Sequence, residues 1–261
     1  MQVQIFKDKI MTNQIHIAAQ YLATAGINFL DKKPDDSHGN LGFNAEKGSL
    51  ETWPLNDNGY KIALDYQNFS LSWLRNEEQL GVIFLDGKTH KEIITWIQHV
   101  TEVLERNTPY SYALHYELPY EKITDDFTFK KPAQEELTRL VKLRTIAQNS
   151  LEAIVKELNL DTTIRVWPHH FDTGGFIALD KPEDVSVGFG MAIPDTLVAD
   201  FYLYTSGYKG HNGISTEAFE KLPLGSWKNE GFKGAVNPMK HVDVDKAIAF
   251  FKETILTYKA L

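Results

Sequence analysis

Residues 60–74 read Tyr60-Lys61-Ile62-Ala63-Leu64-Asp65-Tyr66 and then, after two residues, Phe69-Ser70-Leu71-Ser72-Trp73-Leu74. Both runs alternate, the period of a strand with one face buried. Val82-Ile83-Phe84-Leu85 follows as a shorter, wholly apolar run. Asn56-Asp57-Asn58-Gly59 is a strong turn before the first run, and Asp86-Gly87 closes the last. The links between these runs are short, which implies antiparallel pairing.

Helices flank this block. Downstream, Thr89-His90-Lys91-Glu92 is a capping box: the Thr89 hydroxyl takes the backbone N–H of Glu92, and the Glu92 carboxylate returns to that of Thr89. Ile93, Trp96, Ile97, Val100, Val103 and Leu104 give the apolar face of the helix it opens, which places His90 and His99 at its surface. Asn107 and Pro109 stop it. Upstream, Thr12 or Asn13 is the expected cap of a first helix. Its buried face is Ile15, Ala18, Ala19 and Leu22. Residues 31–40 hold Pro34, Asp35, Asp36, Ser37 and Gly39 and read as a loop.

The second part of the chain repeats the order. Tyr112 to Leu118 looks strand-like, and 119–131 is a polar, linker-like stretch. Pro132 suits the first turn of the longest helix, whose face includes Leu137, Leu140, Ala147, Leu151 and Ile154. Residues 162–172, 176–179, 185–191 and 201–205 read as strands. Residues 206–215, with three glycines, read as a mobile loop, and 232–236 as an edge strand. Asp243 caps a last helix with Val244, Ala247, Ile248, Phe251, Ile255 and Tyr258 on its face. The expectation is an α+β fold of antiparallel sheets with packed helices. The organisation is an internal duplication of a helix–strands–helix unit, 1–118 and 132–261, packed as one globular body. Trp53-Pro54 and Trp167-Pro168 are a small local echo of it.

Bulk properties narrow the classes. A net charge of −8 argues against a nucleic-acid partner, which wants a basic face. The absence of cysteine removes disulfides, thiolate catalysis and cysteine-ligated metals. Residues 1–11 alternate polar and apolar with no continuous apolar core, so no signal peptide is expected, no run approaches a membrane span, and the default location is cytoplasmic.

Ile164-Arg165-Val166-Trp167-Pro168-His169-His170-Phe171-Asp172-Thr173-Gly174-Gly175 concentrates the potential chemistry. On a regular strand His170 and Asp172 share a face and His169 points the other way. An imidazole and a carboxylate on one face suit a divalent metal or a hydrogen-bonded base pair, with at least one further ligand from elsewhere. The bland alternative is that Pro168 breaks the strand and Asp172 caps a turn at Gly174-Gly175. His16 and Gln20, at i and i+4, sit together on the flank of the first helix. His38 lies in the 31–40 loop, and His211 in the glycine-rich loop as part of a lid or merely of a long hairpin. No Gly-x-Ser-x-Gly elbow or His-Glu-x-x-His motif occurs.

These features resemble a family of uncharacterised bacterial proteins of roughly this size, catalogued as a domain of unknown function. The resemblance rests on Ile15-His16-Ile17-Ala18-Ala19-Gln20, His38, Phe171-Asp172, Gly188-Phe189, Phe201-Tyr202 and Pro238-Met239-Lys240-His241-Val242. Ala23-Thr24 stands where that family has Gly-Lys, and the tryptophans after His38 are missing. The resemblance implies no reaction. It groups His16, Gln20, His38 and Asp172.

The resulting expectation is a small-molecule-binding protein with its pocket between the halves. If it is an enzyme, metal-assisted or acid/base hydrolysis is expected, with His170 or His16 as base or ligand and Asp172 as the orienting carboxylate. Gln20, His38, Trp167, His169 and His211 would contact the ligand. The alternative is a non-catalytic interaction module that uses exposed aromatics such as Trp53, Tyr202 and Tyr204.

Overall fold

The computed structural model describes residues 2–179 and 184–261, and the side chains from Asn13 onward. The fold is α+β, with helices on antiparallel sheets. The chain divides into two compact units, residues 1–141 with 166–171, and residues 142–165 with 172–261. Among the described residues, no helix is long and apolar enough to cross a membrane.

The first unit opens with α1 (Gln2–Phe29). The helix starts well before the expected caps, so Thr12 and Asn13 lie inside it. A meander follows: β1 (Gly42–Asn44), β2 (Ser49–Glu51), β3 (Tyr60–Asp65), β4 (Ser70–Arg75) and β5 (Glu78–Phe84), paired in that order. The alternating runs of residues 60–74 form β3 and β4 as expected, but not with a single buried face, because β4 is buried on both sides. Ile62 faces Trp73 and Leu64 faces Leu71, and Ile62, Leu64 and Leu71 are fully buried. Helix α1 packs on β3, and α2 (His90–Thr101) packs on β5. The capping box of α2 forms as expected, at 3.2 Å from the Glu92 N–H to the Thr89 hydroxyl and 2.8 Å for the return bond.

Two expectations fail in the segment after α2. Residues 112–118 form no strand; they run irregularly, with the Tyr116 hydroxyl donating to Gln20 of α1. Nor is 119–131 a linker. The His90 N–H donates to Phe127 O, Phe129 N–H to Lys88 O and Lys131 N–H to Asp86 Oδ1, and the Phe129 ring is 1% exposed. These bonds make the stretch part of the first unit.

Helix α3 (Gln134–Glu157) crosses the division between the units. After it come β6 (Arg165–Trp167), β7 (Asp172–Ala178), β8 (Val185–Ala192), β9 (Tyr202–Lys209), β10 (Asn212–Gly213), β11 (Ser226–Lys228), β12 (Gly234–Pro238) and α4 (Val244–Lys259). The sheet order is β11-β12-β9-β8-β7-β6, with β10 on β9. Each unit thus holds helices and antiparallel strands, and the second sheet is not a simple meander, because β9 pairs with β12. Strand β12 pairs on both sides, with β11 and β9, and so is not the expected edge.

The expected mobile loop at 206–215 is mostly sheet. Strand β9 continues to Lys209, turns at Gly210 (φ 58°) and returns as β10. Its glycines answer packing as well as turning: a Cβ on Gly207 would stand 2.3 Å from the Tyr258 ring of α4. His211 sits exposed at the hairpin tip.

Candidate functional site

The strand expected at 162–172 breaks after Trp167. Residues 168–171 form a turn, closed by a 2.6 Å bond from Phe171 N–H to Trp167 O and with Phe171 at φ 60°. The shared face of His170 and Asp172 therefore does not exist, because their alternation assumed a continuous strand. His170 is exposed in the turn, whereas Asp172 begins β7 of the second unit. Gly174 and Gly175 lie inside β7, so Asp172 does not cap a turn there either. Instead the Tyr204 hydroxyl donates to its Oδ2. Tyr202 donates to Asp195 at 2.7 Å and is 5% exposed, so these two tyrosines are held by carboxylates rather than presented as an aromatic patch. Trp53 is half-buried.

The turn at 168–171 presents the Pro168 carbonyl to α1. His16 Nε2 lies 2.7 Å from Pro168 O, and Gln20 Nε2 donates to the same oxygen at 2.9 Å. A carbonyl can only accept, so His16 Nε2 carries the hydrogen. Nδ1 is then the acceptor for the Tyr120 hydroxyl, 2.9 Å away. The ring also stacks on Phe171, with centroids 4.6 Å apart. With both nitrogens bonded and 1% exposure, His16 is a bracket rather than an available base.

His16 begins a polar stripe down α1 at spacing four: His16, Gln20, Thr24, Asn28. Each member bonds the irregular segment after α2. Gln20 Oε1 accepts from Tyr116 at 2.6 Å, the Thr24 and Tyr110 hydroxyls meet at 2.6 Å, and Asn28 exchanges two bonds with the Ser111 backbone. Thr24 is thus a member of the stripe. Of the residues grouped by the resemblance, His16 and Gln20 meet at one oxygen. His38 docks elsewhere on α1, its carbonyl against Gly26, ten residues and about 15 Å along the axis from His16. It is buried, and its Nδ1 lies 3.4 Å from the Lys33 N–H.

His169 is half-buried between Trp167, Tyr116 and His170, with ring centroids 6.3, 5.6 and 4.2 Å away. Burial first, then the neighbouring His170 and His115 rings, hold its pKa below the ordinary value. His115 lies 3.5 Å from the Asp36 carboxylate. Among the described residues, no three histidine or carboxylate groups stand where they could hold one metal ion.

The first unit contains a different opening that sequence reading missed. A cleft of about 600 Å³ lies between α2 and residues 108–112, with Asp125 also in its lining. His90 is part of its lining, 6% exposed rather than on the surface. The signal was available: His90, Ile93, Ile97 and Thr101 are the buried stripe of α2, at i, i+3, i+7 and i+11. Its Nδ1 lies 2.7 Å from the Tyr21 hydroxyl, and the Tyr112 ring meets the imidazole edge-on at 4.7 Å. Burial lowers the His90 pKa, opposed by the Asp125 charge. Burial, with the nearby Tyr112 and Tyr110, drives the Tyr21 phenol far up. Comparison with known protein families, curated proteins and solved structures returns no match for this chain.

An unfolded histidine binds its proton below about pH 6.5, whereas native His90 and His169 resist protonation until lower pH. Their contribution to stability is full above that pH and is lost as pH falls towards the native values. Denaturant melts are expected to show stability declining from pH 7 to 5.5, with a shallower decline in His90→Asn. An equal slope in that variant would contradict the role given to His90.

Proposed function

We propose that the protein binds a small molecule in the cleft of its first unit, with His90 as the polar anchor. The supporting observation is a nine-tenths-buried histidine in the lining of an open cleft of about 600 Å³. Ligand sites are concave, with aromatic walls and a few placed polar groups. Tyr112 and Ile94 supply wall, while Gln98, Ser111 and Asp125 supply polar groups at the lining. The cleft replaces the pocket expected between the halves as the preferred location.

The polar stripe of α1 supports this reading structurally. It fixes Tyr110 and Ser111, which line the cleft, through Thr24 and Asn28. A wall held this way is preorganised, which spares a ligand the cost of ordering it. The test is a small-molecule library read by thermal shift, with hits confirmed by displacement of His90 and Tyr112 resonances. Hits are expected to be lost in His90→Ala and in Ile94→Trp, which fills the cleft without touching the His90–Tyr21 bond. Hits that survive Ile94→Trp would place the ligand elsewhere and end the proposal.

A further inference from the structure

We infer that the cleft selects a planar ligand whose edge carries a hydrogen-bond acceptor beside a donor, as in a cyclic amide or a nucleobase. The inference rests on the cleft being the binding site, and it follows from the tautomer of His90. The Tyr21 side chain is fully buried, and the only partner of its hydroxyl among the described residues is His90 Nδ1 at 2.7 Å. If Nδ1 carried the hydrogen, the phenolic hydrogen would be left buried without an acceptor, which is costly. The phenol therefore donates, Nδ1 accepts, and the neutral ring's hydrogen resides on Nε2. An imidazolium would orphan the same phenolic hydrogen, so charge is disfavoured by the same bond.

Nε2–H is the part of the ring left for a ligand. No hydrogen bond to it occurs among the described residues, and His90 lines the cleft. It offers a donor and so calls for an acceptor on the ligand. Asp125 lines the same cleft, close enough for its charge to act on His90 yet not bonded to it. Its carboxylate calls for a donor and repels anions. The Tyr112 ring beside the imidazole favours a flat body. Acceptor, donor and plane together describe a lactam-like edge, and a carboxylate ligand meets Asp125 unfavourably.

Two measurements test this. A long-range ¹H–¹⁵N spectrum of the labelled full chain at pH 7.5 should show His90 with a protonated Nε2 and an unprotonated Nδ1, and Tyr21→Phe should convert it to a tautomer mixture. For binding, 2-pyridone, benzamide and benzoate are titrated against the His90 and Tyr112 resonances. The two amides should shift both residues, at least ten-fold more tightly than benzoate. A protonated Nδ1, or benzoate binding as tightly as the amides, overturns the inference and leaves the cleft as a binding site. Failure of all three probes to shift His90 at millimolar concentration, while other molecules bind there, likewise overturns the ligand class. If nothing binds the cleft, the proposed function falls with it.

Discussion

Gly26→Ala is expected to destabilise the protein by about 1–3 kcal/mol, the range for forcing extra volume into packed structure. In an unencumbered helix the same change should stabilise by about 1 kcal/mol, because alanine is the better helix former. The sign reverses because a Cβ at position 26 would stand 2.4 Å from the His38 carbonyl oxygen and 3.3 Å from the Gly39 Cα. Both are backbone atoms, so no rotamer change relieves the clash, and residues 37–39 must lift from α1. Denaturant unfolding reads the loss, and faster amide exchange at Gly39 and Asn40 should accompany it. Gly39→Ala is the control: its nearest contact would be the Ile27 side chain at 3.4 Å, an ordinary distance, and a much smaller effect is expected. A stabilised Gly26→Ala protein would show that the 31–40 loop does not dock where the structure places it.

His16→Ala should cost more, about 3–5 kcal/mol, the range for truncating a buried ring. The change deletes the stack on Phe171, orphans the Tyr120 hydroxyl and removes one of two donors from Pro168 O. Hydrogen exchange separates this role from a catalytic one. A bracket should release the bonded segment, so amides around 116–120 and the 168–171 turn should lose protection together. A base in an active site would leave those amides unchanged and the stability within about 1 kcal/mol, the ordinary effect of a mild substitution. That second outcome would return His16 to the list of reactive groups.

The two results bear on how a buried histidine is read. His16 and His90 are both almost fully buried, yet they differ in what surrounds the second nitrogen. At His16 the carbonyl of Pro168 and the hydroxyl of Tyr120 use both. At His90 the Tyr21 phenol uses one, and no hydrogen bond to the other occurs among the described residues. Sequence spacing flagged His16, through its partner Gln20, and passed over His90, which sits two residues before the end of a capping box. Helical periodicity placed His90 on the buried stripe all along, since it is three residues before Ile93 and seven before Ile97. As a polar residue on a capped amphipathic helix it reads as surface.

Much of the architecture was determined by the sequence alone, because it rests on interactions between near neighbours. The alternation of residues 60–74 marks two strands, and their short link makes the pair antiparallel. The Thr89 and Glu92 pair dictates where α2 starts, and Asp243 caps α4. Tertiary structure decided whatever depended on residues distant in the chain. Only the fold brings Pro168 to His16 across 152 positions, which turns an expected strand face into a turn that presents a carbonyl. It alone brings Tyr21 to His90 across 69, which fixes a tautomer and leaves one nitrogen to the cleft. Local periodicity encodes which side of an element is buried. What that side meets, and whether its polar atoms are used up on arrival, is set by packing between elements, and the candidate site is made of those unused atoms.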